Sequence, residues 1–217
     1  MTEKPKSDRT RVRRMPERGH YDRATIHAIL DDGLVAHLGF TGADGQPWVI
    51  PVLYARDGDR LLIHGSAASR LLTTLAEGVD VCFTVSLYDG LVVARSAFHS
   101  SFNYRSVIVI GRARAIEGAD SKWDALAKLT DFLIPGRWDD CRQPNDLEMK
   151  ATLILELPID EASAKIRTGG PHDDEEDYAL PHWAGVLPFA KGTLAPIPDP
   201  DLAPGIELPD YLKRWKK

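Results

Sequence analysis

The stretch His64-Gly65-Ser66-Ala67-Ala68-Ser69-Arg70 is the densest set of groups able to grip an anion. The residues before it, Leu61–His64, are strand-like, Gly65 lets the backbone turn, and Ser66 can cap a helix over Ala67–Ala76 that Gly78 ends. Free backbone N–H groups at a helix start attract anions, and the helix dipole adds to that attraction. Ser69 and Arg70 follow Ser66 by three and four residues, which sets them beside it across the first turn. Hydroxyls, N–H groups and a guanidinium could then converge on one phosphate. A plain helix cap with a solvated arginine would show the same letters.

A second polar cluster runs from Arg95 through Ser106 and includes His99, Asn103, Tyr104 and Arg105. Strand alternation puts Asn103 and Arg105 on one side, Tyr104 and Ser106 on the other. Such groups suit the rim of a ligand site and equally an ordinary polar loop. Trp183, in Pro181-His182-Trp183-Ala184-Gly185, lies in an extended segment that needs a surface to dock on, and its indole could stack on an aromatic cofactor.

Other chemistries find no foothold. The histidines at 20, 27, 37, 64, 99, 172 and 182 form no H-x-H, H-E-x-x-H or Cys/His pair, so no dedicated metal site is expected. There is no nucleophile elbow, no phosphate-binding P-loop and no dinucleotide fingerprint. Cys82 sits between Val81 and Phe83 and reads as an inert buried thiol, and the run Asp173–Asp177 reads as a solvated acidic loop.

The elements that must position these residues alternate between short strands and a few helices. Asp22 can cap a helix over Arg23–Leu30, with Gly33 beyond its end. Strands are expected at Leu34–Thr41, Trp48–Arg56 and Leu61–His64, forming a meander. Val79–Leu87 and Leu91–Arg95 flank Tyr88-Asp89-Gly90, a hairpin signal. Tyr104–Ile116, a helix over Ser121–Leu133, then strands at Thr152–Leu157 and Ala162–Arg167 follow. Tight turns between neighbours predict a mainly β, antiparallel fold of six to seven strands with inserted helices, and closing it into a barrel or split barrel would remove exposed edges.

The chain has 217 residues, 43% hydrophobic and 27% charged, with a formal net charge of −5, an ordinary globular composition that argues against a generally basic nucleic-acid binder. Two cysteines are too few for a disulfide scaffold, no apolar run reaches a membrane span, and the N-terminus lacks the apolar core of a secretory signal. A cytoplasmic protein without membrane or nucleic-acid partners is expected. Residues 1–20 carry seven Lys/Arg against three Asp/Glu and read as a basic flexible arm. Residues 21–188 form the domain, and 189–217 a proline-rich extension, since seven of the fifteen prolines lie from Pro181 onward.

Four pieces together resemble the pyridoxamine 5′-phosphate oxidase-related flavin-binding proteins, in the branch similar to nitroimidazole-resistance proteins. They are Arg18-Gly19-His20-Tyr21-Asp22; Gly45–Pro51 with Leu62–Ser66; Asn103-Tyr104-Arg105-Ser106-Val107; and Ala162–Arg167 followed by Trp183-Ala184-Gly185-Val186. The resemblance implies a split β-barrel homodimer with flavin mononucleotide (FMN) in two clefts at the subunit interface. By this resemblance Ser66, Ser69 and Arg70, with His64 beside them, hold the phosphate. The backbone of Val49, Ile50, Pro51 and Val52 lies along the isoalloxazine ring. Asn103, Tyr104, Arg105 and Ser106 approach the cofactor from the neighbouring strand. Lys165, Arg167 and Trp183 close the cleft, over the partner subunit's flavin.

An FMN-dependent oxidoreductase is therefore expected, passing hydride or electrons between a reduced nicotinamide and a small acceptor. It needs no catalytic dyad, because a flavin supplies its own redox chemistry. A flavin sensor or store, or the same barrel holding deazaflavin or haem, are the alternatives. The pyridoxal-phosphate-binding signature of true pyridoxamine phosphate oxidases is not evident, so that substrate is not carried over.

Overall fold

The computed structural model describes residues 4–190 and 192–215; residues 1–3 of the basic arm and 191, 216 and 217 of the extension lie outside the described residues. The strands are β1 (Gly19–His20), β2 (Val35–Thr41), β3 (Pro47–Leu53), β4 (Ala55–Asp57), β5 (Arg60–Ser66), β6 (Asp80–Val93), β7 (Ser101–Arg112), β8 (Arg114–Ala115), β9 (Thr152–Pro158), β10 (Glu161–Arg167) and β11 (Gly185–Pro188). The helices are α1 (Arg23–Asp32), α2 (Arg70–Ala76), α3 (Ala119–Leu133), α4 (Asp146–Ala151) and α5 (Asp210–Lys213).

All strand pairs are antiparallel, as the turn chemistry predicts. They form the split barrel from two sheets. A seven-stranded sheet runs β1-β10-β7-β6-β2-β3, with β11 added on β6, and a four-stranded sheet runs β4-β5-β9-β8. Leu38, Phe83, Val85, Val107 and Val109 of the first sheet meet Leu61, Ile63, Leu155 and Leu157 of the second in one core, which α1 seals with Ile26 and Leu30. Helix α3 lays Ala125 and Leu129 on the other face of the small sheet, against Leu62 and Ile154. Among the described residues, no helix is long and apolar enough to cross a membrane.

The expected meander breaks at Tyr54. β3 pairs with β2, whereas β4 pairs with β5 in the other sheet. Tyr54 is fully buried at this crossing, stands edge-on to Phe83 at 5.1 Å between ring centroids, and donates its hydroxyl proton to the Leu30 carbonyl. Burial pushes its phenol far above the ordinary tyrosine range. Leu30 O also accepts from Gly33 N–H, so Tyr54→Phe leaves it one partner and should cost about 1 kcal/mol, read as a lower urea midpoint at unchanged slope.

The Tyr88-Asp89-Gly90 hairpin is not formed. β6 continues through it as one strand of 14 residues, with a register shift between Tyr88 and Gly90. Gly90 serves a close approach here: a Cβ on it would stand 2.7 Å from the Leu187 carbonyl oxygen of β11. Asp-Gly signals a bulge as readily as a turn.

Ser66 does not start the following helix. It is still in β5, paired with Thr152, and α2 begins at Arg70 with Ser69 as its N-cap residue. The Asp22 cap holds, its side chain accepting from Thr25 N–H, but α1 runs on to Asp32. The capping box of Asn145 and Glu148 opens α4, a helix the hydrophobic pattern does not mark. Over residues 4–20 the basic segment lies along the domain. Arg9 grips Glu161 through two N–H groups, at 2.9 and 2.6 Å, and Thr10 is buried.

Candidate functional site

Around Arg70 the expected anion groups meet partners from the β2–β3 hairpin. The Arg70 guanidinium lies over the Trp48 indole, 4.8 Å from the ring centroid. Both line a cavity of 280 Å³ with Phe40, Gly42, Ile50 and Thr74. This is the low end for a ligand pocket, room for one end of a cofactor. Asp44 also lines it, but its carboxylate accepts from Gln46 N–H at 3.0 Å. Among the described residues Arg70 makes no ion pair, so its charge is available to a ligand. Ser66 Oγ accepts from Ala68 N–H at 3.2 Å and Ser69 makes no side-chain cap, which leaves its hydroxyl free of the helix end.

Alternation divides the 49–52 strand between two faces. Ile50 turns into the cavity and Val52 packs on the core, whereas Val49, 69% exposed, and Pro51 point outward beside Val35 and Leu53. His64 has an accessible edge on β5, and the strand around it desolvates the ring enough to lower its pKa below the usual imidazole value.

The remaining expected residues gather at the opposite edge of the large sheet. Arg167 and Asn103 are both buried, and Arg167 Nη1 donates to Asn103 Oδ1 at 2.6 Å. Ser106 donates to the Lys165 carbonyl at 3.3 Å, and Tyr104 pairs with Arg167 across β7 and β10. Arg105 turns away from Tyr104 and Ser106, as expected, but without Asn103, which was expected beside it and instead bonds Arg167. Arg105 donates to both oxygens of Asp89, at 2.9 and 2.8 Å, and to Asp32 at 2.7 Å. Trp183 is exposed, its ring over Gly185.

Two side chains lie where the sequence pattern does not put them. Cys82 is exposed on the outer face, with Thr84 Oγ1 3.7 Å from its sulfur, because β6 places it opposite Val81 and Phe83 in the alternation. Asp173 is not solvated. Its side chain is fully enclosed and accepts from Arg95 N–H at 2.9 Å, Ser96 N–H at 3.4 Å and Arg95 Nη1 at 3.1 Å. It thereby latches the 95–100 loop. Desolvation opposes ionisation, yet the Arg95 and Ser96 donors hold the carboxyl below its ordinary value. A depressed acid contributes above its unfolded pKa, near 4, and loses that contribution as pH falls through the lower folded value. Hydrogen-exchange protection of the Arg95 and Ser96 amides should persist from neutral pH to about 4, fall below it, and vanish at all pH values in Asp173→Ala. Unchanged protection in that variant would dismiss the latch.

The family model for pyridoxamine 5′-phosphate oxidase matches residues 22–166. The chain belongs to the pyridoxamine 5′-phosphate oxidase family. The matched span holds the Trp48–Arg70 cavity, β7 and most of β10, and stops one residue before Arg167. Among solved structures, the chain is 45% identical to the flavocytochrome Anf3 from Azotobacter vinelandii, with 96% of this chain and 97% of that one covered and a TM-score of 0.91. It is 40% identical to the FAD and heme binding protein from Mycobacterium smegmatis, over 90% of this chain and 96% of that one, with a TM-score of 0.87. A third, described as a candidate 5-nitroimidazole antibiotic resistance protein from Bacteroides thetaiotaomicron, is 22% identical over 68% of this chain and 86% of that one, with a TM-score of 0.58, and shares the fold. No curated protein matches the chain. In this family member, Trp48 is the site residue that sequence reasoning missed. Twenty-two positions before Arg70, it lies near the start of β3, and nothing in the local pattern there tied it to the β5–α2 junction.

Proposed function

We propose that this chain is a flavin-binding redox protein that also takes up a haem. The observation that carries the flavin is the Arg70 guanidinium, stacked on Trp48 in a cavity and without an ion pair among the described residues. A cation held by an aromatic face, open on its other side, suits the phosphate of a nucleotide cofactor. Ser66 and Ser69 add hydroxyl donors at the same junction. The two full-length relatives, a flavocytochrome and a FAD and heme binding protein, support a flavin together with a haem. FMN is the form expected from the sequence; the second relative favours its dinucleotide, which contains the same riboflavin phosphate.

When bound, a flavin supplies hydride and single-electron transfer and a haem single-electron transfer. The chain's own contribution is placement. Arg70 neutralises the phosphate, the 49–52 backbone runs along the ring, and Asn103, Tyr104, Ser106, Lys165, Arg167 and Trp183 close the site from a second copy. A homodimer is part of the proposal. Val35, Val49, Leu53 and Ile108 form an exposed apolar face on the large sheet, which a second copy would remove from water. Turnover is between a reduced nicotinamide and a small acceptor.

The test is the absorbance spectrum of the purified protein, chromatography of the flavin released on denaturation, and size-exclusion chromatography. Flavin bands near the usual visible maxima, an intense Soret band and a dimer are expected. A colourless protein that retains neither FMN nor FAD ends the reading. Retained flavin that neither NADH nor NADPH reduces would leave a flavin carrier without this turnover.

A further inference from the structure

The outer face of the large sheet carries one imidazole amid its apolar patch. His37 of β2 is exposed there, with Pro51 of β3 and Thr84 of β6 as its direct cross-strand partners, and Ile108 of β7 continues the row beyond Thr84. Direct partners share a face, as do alternate residues along one strand. Val35 and Gly39 therefore flank the imidazole on its own strand, and Val49 and Leu53 stand one row to either side on β3. On β6 the neighbours are Cys82, partner of Gly39, and Ser86, partner of Ser106. No acid or base adjoins His37 on this face, and Cys82 is the one other ionisable group in these positions.

Charges begin only at the margins. Asp80, one alternation step beyond Cys82, pairs with Arg112 at 3.0 Å. Glu161 lies beyond Ile110 and is held by Arg9 at 2.6 Å, and Lys165 lies beyond Ser106. Two other histidines stand beside carboxylates, His27 at 3.1 Å from Asp59 and His99 at 3.2 Å from Asp174, whereas His37 makes no ion pair among the described residues. A proton on His37 is therefore balanced by water alone, for as long as water reaches this face.

We propose that His37 makes the association of two copies depend on pH, so that acidification separates the protomers and opens the cofactor site. The inference rests on the homodimer reading above, in which a second copy covers this face. A two-fold axis brings the same patch from both copies. Each imidazole then meets the uncharged patch of the other copy or that copy's imidazole, and a positive charge is unfavourable against both. A neutral imidazole costs less to bury and keeps one donor and one acceptor for hydrogen bonds. The separated protomers therefore bind protons that the dimer sheds. Affinity is full above the ordinary imidazole value of about 6.5 and declines as pH falls below it. Groups that close the flavin site from the second copy leave with it, so flavin is released over the same window.

Sedimentation of the flavin-loaded protein over a dilution series, from about pH 7.5 to about 5.5, tests this. That window lies above the one in which the Asp173 latch opens, and far-UV circular dichroism checks that the protomer stays folded. His37→Gln is the variant, since the side chain is at the protomer surface and an amide keeps its polarity without the charge. Wild type should be a dimer at the upper end. Its dissociation constant should rise about 10- to 100-fold per pH unit in the lower half of the window, one factor of ten for each imidazole that must give up a proton. Fluorescence of released flavin should rise in step. His37→Gln should keep one dissociation constant and its bound flavin throughout. A wild-type dimer indifferent to pH, or a His37→Gln variant that dissociates in parallel with wild type or is monomeric throughout, overturns the role of His37 and leaves the homodimer standing. Wild type that is monomeric at about pH 7.5 ends the homodimer reading itself, and this inference with it.

Discussion

Arg70→Ala should weaken flavin binding by about 10- to 100-fold while leaving the fold as stable as wild type to within about 1 kcal/mol. The Arg70 charge has no ion-pair partner among the described residues. Arg70 is exposed at the first position of α2, and its contacts are the Trp48 face and the Thr73 hydroxyl, which bonds to its carbonyl. Removing the guanidinium breaks one cation–π contact, worth about 0.5–1 kcal/mol at an exposed site, and leaves no carboxylate stranded. A charge-assisted bond to phosphate contributes about 1.5–3 kcal/mol, which sets the loss in affinity. Equilibrium dialysis against FMN and FAD, with urea unfolding in parallel, separates the two effects. Affinity equal to wild type would remove Arg70 from the phosphate site.

Arg105→Ala should do the reverse. Its guanidinium spans Asp89 at the β6 bulge and Asp32 at the end of α1, so it ties the longest strand to the helix that seals the core. Those bonds, Asp89 foremost, raise its pKa further above the ordinary arginine value. Deletion leaves two half-buried carboxylates facing one another. Breaking a fully buried pair costs about 3–5 kcal/mol; here water reaches all three groups, so about 2–3 kcal/mol is expected. Arg105→Lys should recover part of this, since an ammonium cannot reproduce the two-pronged grip on Asp89. A urea midpoint unchanged in Arg105→Ala, together with lost flavin, would return this residue to the cofactor site.

These two arginines show where a sequence is informative and where it is not. Alternation within β7 correctly turned Arg105 away from Tyr104 and Ser106, because strand geometry is local. Its carboxylate partners lie on another strand and on α1, and no local pattern names them. The antiparallel sheet and the Asp22 cap were legible for the same local reason, whereas Ser66, read as a helix cap, extends β5 and leaves the cap position to Ser69. The β6 bulge was not, because Asp-Gly suits a turn and a bulge alike, and only β11 pressing on Gly90 decides. Asp173 looked like one of five repelling acids, and its selection for burial depends on amides in the 95–100 loop. The Trp48–Arg70 stack needs β3 and α2 to be assembled first.

The pairing of β1 bears on the order of events during synthesis. Gly19 and His20 leave the ribosome early, yet among the described residues their only strand partners are Lys165 and Ala164, near the end of the domain. Such a distant closure is slow in chain-entropy terms and follows the local hairpins. β1 therefore reaches β10 last, after almost the whole domain has emerged. A nascent chain can expose the Trp48–Arg70 cavity while the β1–β10 edge is still unmade, so truncation after β9 should spare the first and abolish the second.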